Sequence, residues 1–194
     1  MKTEKISDVL QGMDVNTEDA IVTLSDKIWE LGNIETIKEK VSDVVFTFHV
    51  VANVIGNYKG DGWQSIIEEN RELLPYISQA MYEIGLPTVG EATKNIAYIF
   101  PLKMNVLSLD EKKFCEVVNF LRGISEGRYF TITMDELKGY TETEREHLTS
   151  LYLAEQEKIN AVTEKMWNYD SPDNEGWGVV CRYLEKHLQD NFWK

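Results

Sequence analysis

The apolar residues Ile37, Val41, Val44, Val45, Phe48, Val51, Val54 and Ile55 recur at intervals of three and four. That period matches the 3.6-residue turn and predicts a helix over about 34–55. Its many β-branched residues lower helix propensity slightly, but the length of the stripe and the charged opposite face outweigh this. The second half is apolar nearly all round, which marks the central, most buried helix of whatever fold forms, with Val45 and Phe48 nearly fully buried. The run 44–55 contains Thr47, His49 and Asn53 and is too short to span a bilayer, which requires about 20 apolar residues.

Glycine and proline punctuate the chain beyond this helix. Gly56, Gly60 and Gly62 permit tight turns and read as the end of the central helix. A short helix is expected over 63–70. Pro75 suits the first turn of another, with Ile77, Ala80, Met81 and Ile84 inward and Gly85 with Pro87 as its stop. A further helix over 88–100 is closed by Pro101. Upstream, 1–15 is polar and reads as a flexible arm. Thr17, Glu18 and Asp19 then open a helix whose stripe is Ile21, Leu24, Ile28 and Leu31, with Gly32 as its stop.

Three capping-box spacings lie downstream: Ser108 with Glu111, Thr133 with Glu136, and Thr141 with Glu144. The first introduces the stripe Phe114, Val117, Val118 and Leu121, with Gly123 as cap. The last launches the longest helix, to about 167, with Leu148, Leu151, Tyr152, Ile159, Val162 and Met166 as its seam. The alternation over 128–133 fits one short strand, for which no partner is in view. A helix over 177–192, with Val180, Tyr183, Leu184 and Leu188 inward, completes the series. The expectation is an all-α fold: one compact multi-helix domain over 16–194, its short helices broken by Gly/Pro turns.

The chain carries 33 acids and 20 bases, a net charge of −13, without a separate acidic tail. Phosphate contacts need clustered Lys and Arg, so direct nucleic-acid binding is disfavoured, whereas a basic protein partner would be attracted. Charge of this size also serves solubility alone. Cys115 and Cys181, isolated from each other, fit a reducing compartment better than a disulfide framework. The start, with its lysines and no apolar signal region, points to a cytoplasmic protein, and no membrane partner is expected.

No catalytic constellation emerges. Glu144 and His147 have the spacing used by paired metal centres in helix bundles, but that chemistry needs two such motifs and two further glutamates. His49, amid apolar residues, reads as a satisfied core histidine, and His187 as a favourable partner for a helix C-terminus. The glycine run lacks the Gly-Lys-Ser/Thr ending of a phosphate loop. Trp63 and Trp177 read as turn residues packed on the core. We therefore expect no enzyme, metal or cofactor, and assign Gly60, Gly62, Trp63 and Gly85 to structural turns. The carboxylates remain as partner-binding candidates: Asp61, Glu68, Glu69 and Glu72 around the glycine run; Glu142, Glu144 and Glu146 at the start of the long helix, continued by Glu155, Glu157 and Glu164; and Asp170, Asp173 and Glu175 in the last loop. Carboxylates one or two helical turns apart, about 5 to 11 Å, can match a row of duplex phosphates.

Phe48-His49-Val50, the Asn57 to Trp63 glycine break, Glu72-Leu73-Leu74-Pro75, Ala80-Met81-Tyr82-Glu83-Ile84-Gly85, Met166-Trp167-Asn168-Tyr169 and Tyr183-Leu184-Glu185-Lys186-His187 together resemble a bacterial family of small acidic helical proteins typified by a DNA mimic. The resemblance runs from about residue 35 to the end, strongest over 35–100 and 160–194. The family's break is usually Asn-Gly-Gly before an aromatic, and here it is spread as Gly-Asp-Gly-Trp. The resemblance implies an all-α fold and, on the pattern of the member that typifies the family, a homodimer whose surface carboxylates imitate DNA phosphates to occupy a DNA-binding regulator, though not every member need be a mimic. Two other readings stand beside it: an immunity-type protein that neutralises a basic toxin by the same electrostatics, and a small-molecule binder or enzyme with its site near Gly60–Trp63 and His49.

Overall fold

The computed structural model describes residues 4–62, 71–99, 106–168, 170, 171, 173 and 176–194, with backbone alone at 60, 61 and 106. In chain order the helices are α1 (Ile6–Leu10), α2 (Glu18–Trp29), α3 (Ile34–Lys40), α4 (Asp43–Asp61), α5 (Leu74–Glu83), α6 (Pro87–Ile99), α7 (Glu111–Leu121), α8 (Asp135–Lys138), α9 (Glu142–Met166) and α10 (Gly178–His187). Short 3-10 turns occupy Arg71–Leu73 and Val106–Ser108. Among the described residues there is no β-strand, only two isolated bridges, Lys5 with Asn191 and Val41 with Trp193. The all-α expectation is met.

α4 is the central helix, and Val45, Phe48, Val50, Val51, Val54 and Ile55 are all fully buried. α5, α10 and α2 pack on it, α6 folds back on α5, and α9 lies along α6 and reaches α7. Gly90 makes the α5–α6 contact close: a Cβ there would fall 2.8 Å from the Ser78 carbonyl oxygen and from the Tyr82 ring. Ser78 Oγ donates to the Gly90 carbonyl across the same contact at 2.8 Å.

The single helix expected over 34–55 is divided in two. Val41 is extended and bridges to Trp193, the Ser42 N–H donates to the Phe192 carbonyl, and the Ser42 side chain caps α4 at the Val45 N–H. A serine in mid-stripe starts a new helix because the C-terminal segment offers its backbone another partner. At the far end α4 runs through Gly56 and Gly60 to Asp61, and the chain leaves the helix at Gly62, where φ is +72°. The first glycine makes neither a turn nor a close approach: a Cβ at Gly56 would meet the tip of Trp177 at 4.0 Å, an ordinary van der Waals contact. The expected helix over 63–70 and the stop at Phe100 and Pro101 lie outside the described residues.

The flexible arm expected over 1–15 is corrected for its described part. Ile6 and Leu10 of α1 are buried and α1 packs on α2. The polar residues between them face solvent, which is why so short an amphipathic turn reads as an arm. The C-terminal segment fastens it: Ser7 N donates to Leu188 O at 2.9 Å, and Phe192 N to Glu4 O at 2.7 Å. The last helix accordingly ends at His187, not near 192, and Phe192 is fully buried.

The capping boxes divide three ways. Thr141 and Glu144 form theirs reciprocally. At α7 the cap is Asp110, which accepts from Lys113 N at 2.9 Å, rather than Ser108. At α8 the N-cap position falls on Met134, so no side chain caps the helix, and Thr133 just before it gives both its N–H and its hydroxyl to Glu116. The strand expected over 128–133 is not formed, and its polar groups are met locally: Ile132 N donates to Glu126 at 2.7 Å and Gly127 N to Phe130 O at 2.7 Å. Leu151, expected in the α9 seam, is 41 % exposed, and the seam centres on Tyr152, Ile159 and Thr163.

Candidate functional site

α9 carries the longest row of candidate carboxylates. At about 100° per residue, Glu142, Glu146, Glu157 and Glu164 fall within roughly a sixth of the helix circumference. All four are exposed, and none has an ion pair among the described residues. From first to last they span about 33 Å of axis. The buried seam of Tyr152, Ile159 and Thr163 fixes this orientation by pressing the other side of α9 onto the core.

Among the described residues, none of the three Lys and Arg residues of α9 forms an ion pair with the row; Lys165, exposed next to Glu164 in sequence, lies about 80° or more round the helix from it. Arg145 turns inward, donating from Nε to Phe120 O at 3.2 Å and from Nη2 to Ile124 O at 2.6 Å, with its guanidinium 4.9 Å from the Phe120 ring centroid. Lys158 pairs with Glu155 at 2.6 Å. Glu142 and Glu146 also line a cleft of about 530 Å³ beside Gly123, with Thr149 and Ser150 on its wall.

The other candidates divide by the work they already do. Glu144 accepts from the Thr141 N–H at 2.8 Å and from its hydroxyl, and these bonds hold its carboxyl below the usual range; it caps the helix and stands outside the row. Asp173 is taken by Arg182, at 2.6 and 3.1 Å. Glu72 is exposed on the 3-10 turn Arg71–Leu73, and Asp170 is exposed in the last loop. The structure thus brings Glu142 and Glu146 together and leaves Glu72, Asp170 and Asp173 on other elements. Glu68, Glu69, Glu175 and Trp63 lie outside the described residues, as does the side chain of Asp61. Of the expected turn glycines, Gly62 and Gly85 have positive φ, +72° and +87°, whereas Gly60 is helical.

Two carboxylates that sequence reasoning passed over are oriented by hydrogen bonds from their neighbours. Glu116 is buried. Burial alone would raise its pKa, but hydrogen bonds from Met134 N, the Thr133 hydroxyl and Thr133 N outweigh this and hold it below the usual range. No local signal marked it, since Glu116 lies about 100° or more round the helix from every residue of the stripe Phe114, Val117, Val118 and Leu121. Glu83 accepts from the Thr47 hydroxyl and, at 2.9 Å, from Gln79 Nε2.

The histidines are dispersed. His49 is fully buried in α4 with its ring edge-on to Trp29, centroids 4.8 Å apart. Burial lowers its pKa from 6.5 to about 4, so the ring is neutral. The expectation of a satisfied core histidine holds for half the ring: Nδ1 lies 3.4 Å from Asn53 Nδ2, while Nε2 has no partner. His187 contacts Asp190 at 2.6 Å. Among the described residues no group of three or more His, Cys, Asp or Glu could hold a metal ion, and no helix is long and apolar enough to cross a membrane. No protein-family model, curated protein or solved structure matches this chain.

Proposed function

We propose that this chain is a non-enzymatic acidic interaction protein, a DNA mimic that occupies a basic DNA-binding protein through the carboxylates of α9. The observation that carries this reading is the row Glu142, Glu146, Glu157 and Glu164, exposed on one side of a rigid helix while Arg145 and Lys158 are committed elsewhere. A solubilising surface intersperses charges of both signs. A row of one sign concentrates potential and steers a basic partner toward it. The −13 net charge adds the long-range part of that attraction.

The test is competition. A basic DNA-binding partner should release labelled duplex when this protein is added, and its affinity for the protein should fall steeply from about 50 to 200 mM salt. Converting the four row glutamates to glutamine should weaken binding about tenfold or more, mainly through slower association, with the circular dichroism spectrum unchanged. Binding indifferent to salt, or unaffected by the fourfold variant, would overturn the reading.

A further inference from the structure

A second cavity, of about 350 Å³, lies between α4 and α5 on the side where α3 meets them. Its floor is apolar, with Val50 and Ala80 buried beneath it. Phe46 and Tyr76 form one wall, edge to face with centroids 5.0 Å apart. Two opposite charges line it. The Lys38 ammonium rests 4.3 Å from the Tyr76 ring centroid and 5.8 Å from that of Phe46. Glu83 stands at the other end, its two oxygens oriented by Thr47 and Gln79, both neutral donors.

Neither charge answers the other. Lys38 has no carboxylate partner and Glu83 no basic one among the described residues. The remaining carboxylate on the rim, Asp43, is taken by Lys194 at 3.2 Å. Tyr76 and Glu83 are two turns apart on α5, so the two charges are separated by about 10 Å along it. An unmatched ammonium and an unmatched carboxylate, facing one cavity across an apolar floor, call for a molecule with the reverse pattern. The volume is that of a small-molecule site.

We propose that this cavity binds a small zwitterion, an ω-amino carboxylate whose ammonium meets Glu83, whose carboxylate meets Lys38, and whose methylene chain lies against Phe46 and Tyr76. The site is separate from the α9 row and does not depend on the reading given for it.

The probe is ε-aminocaproate, titrated calorimetrically into the full chain beside caproate and n-hexylammonium, each of which keeps one charge and the chain. The zwitterion should bind about tenfold or more tighter than either half, as expected when both ends meet charged partners. In Glu83→Gln the zwitterion should bind no tighter than caproate binds the unaltered protein. In Lys38→Met it should bind no tighter than n-hexylammonium does. Both positions are exposed, so circular dichroism should show the fold intact, and Tyr76→Leu gives a third, uncharged test that should weaken all three probes. Equal binding of the three probes, no binding of any, or retention of the zwitterion's advantage in both charge variants would overturn the proposal.

Discussion

His49 shows how a single residue can make stability depend on pH. Its folded pKa, about 4, lies below the 6.5 of the unfolded chain. The neutral ring is therefore favoured by folding. Its contribution is fully present above pH 6.5 and is lost as pH falls from there toward 4. At pH 5 the loss amounts to about 2 kcal/mol relative to neutral pH. Urea denaturation at pH 7.5 and pH 5 should show this difference in the unaltered protein and most of it gone in His49→Leu. An equal pH dependence in both would show that other groups carry it. That His49 is buried was legible from its apolar neighbours. That Nε2 lacks a partner was not, because the missing partner is a property of residues distant in sequence. Glu116 is the converse. It stands off the apolar stripe of its helix, and its burial comes with its donors at Thr133 and Met134, from a loop whose path the sequence leaves undetermined.

At the scale of the element, periodicity was reliable and boundaries were not. The stripes of α2, α4, α5 and α7 all face the core as their spacing predicts, because burying an apolar face dominates the orientation of a helix. Ends are set by smaller terms that compete. Thr141 and Thr133 both precede an acid at capping-box spacing, yet only Thr141 forms the box, since the Thr133 N–H is taken by buried Glu116 and α8 is entered one residue later, at Met134. Thr141→Ala should cost about 1 kcal/mol in thermal or chemical denaturation. It should also loosen the first turn of α9, which holds Glu142 and Glu146, so amide exchange should rise there and remain unchanged near Ile159. A uniform rise along the helix would place the effect on global stability instead. The α4 carboxy-terminal half teaches the same lesson: Gly56 permits a break but does not impose one, and the helix runs on to Asp61.

At the scale of the molecule, what the sequence left illegible is the closure between its two ends. Glu4, Lys5 and Ser7 bond to Phe192, Asn191 and Leu188, and Val41 to Trp193, contacts with no local signature. Phe192 is the plug of this clasp. Phe192→Ala should cost about 3–5 kcal/mol as a large-to-small change in a fully buried position. Amide exchange should accelerate at Ile6 and Ser7, whose N–H groups donate to Asp190 and Leu188. Loss of stability without that local acceleration would separate the plug from the clasp.

The clasp also orders events in time. Domains begin to fold as they leave the ribosome, from the amino end onward. α2, α4, α5 and α6 can pack together as soon as they emerge, with α1 against α2, but the bonds that fasten α1 and the gap between α3 and α4 wait until Leu188, Asp190, Phe192 and Trp193 have been made. α1 is thus made before its clasp, and until the clasp closes it rests on α2 without the bonds to Leu188 and Asp190.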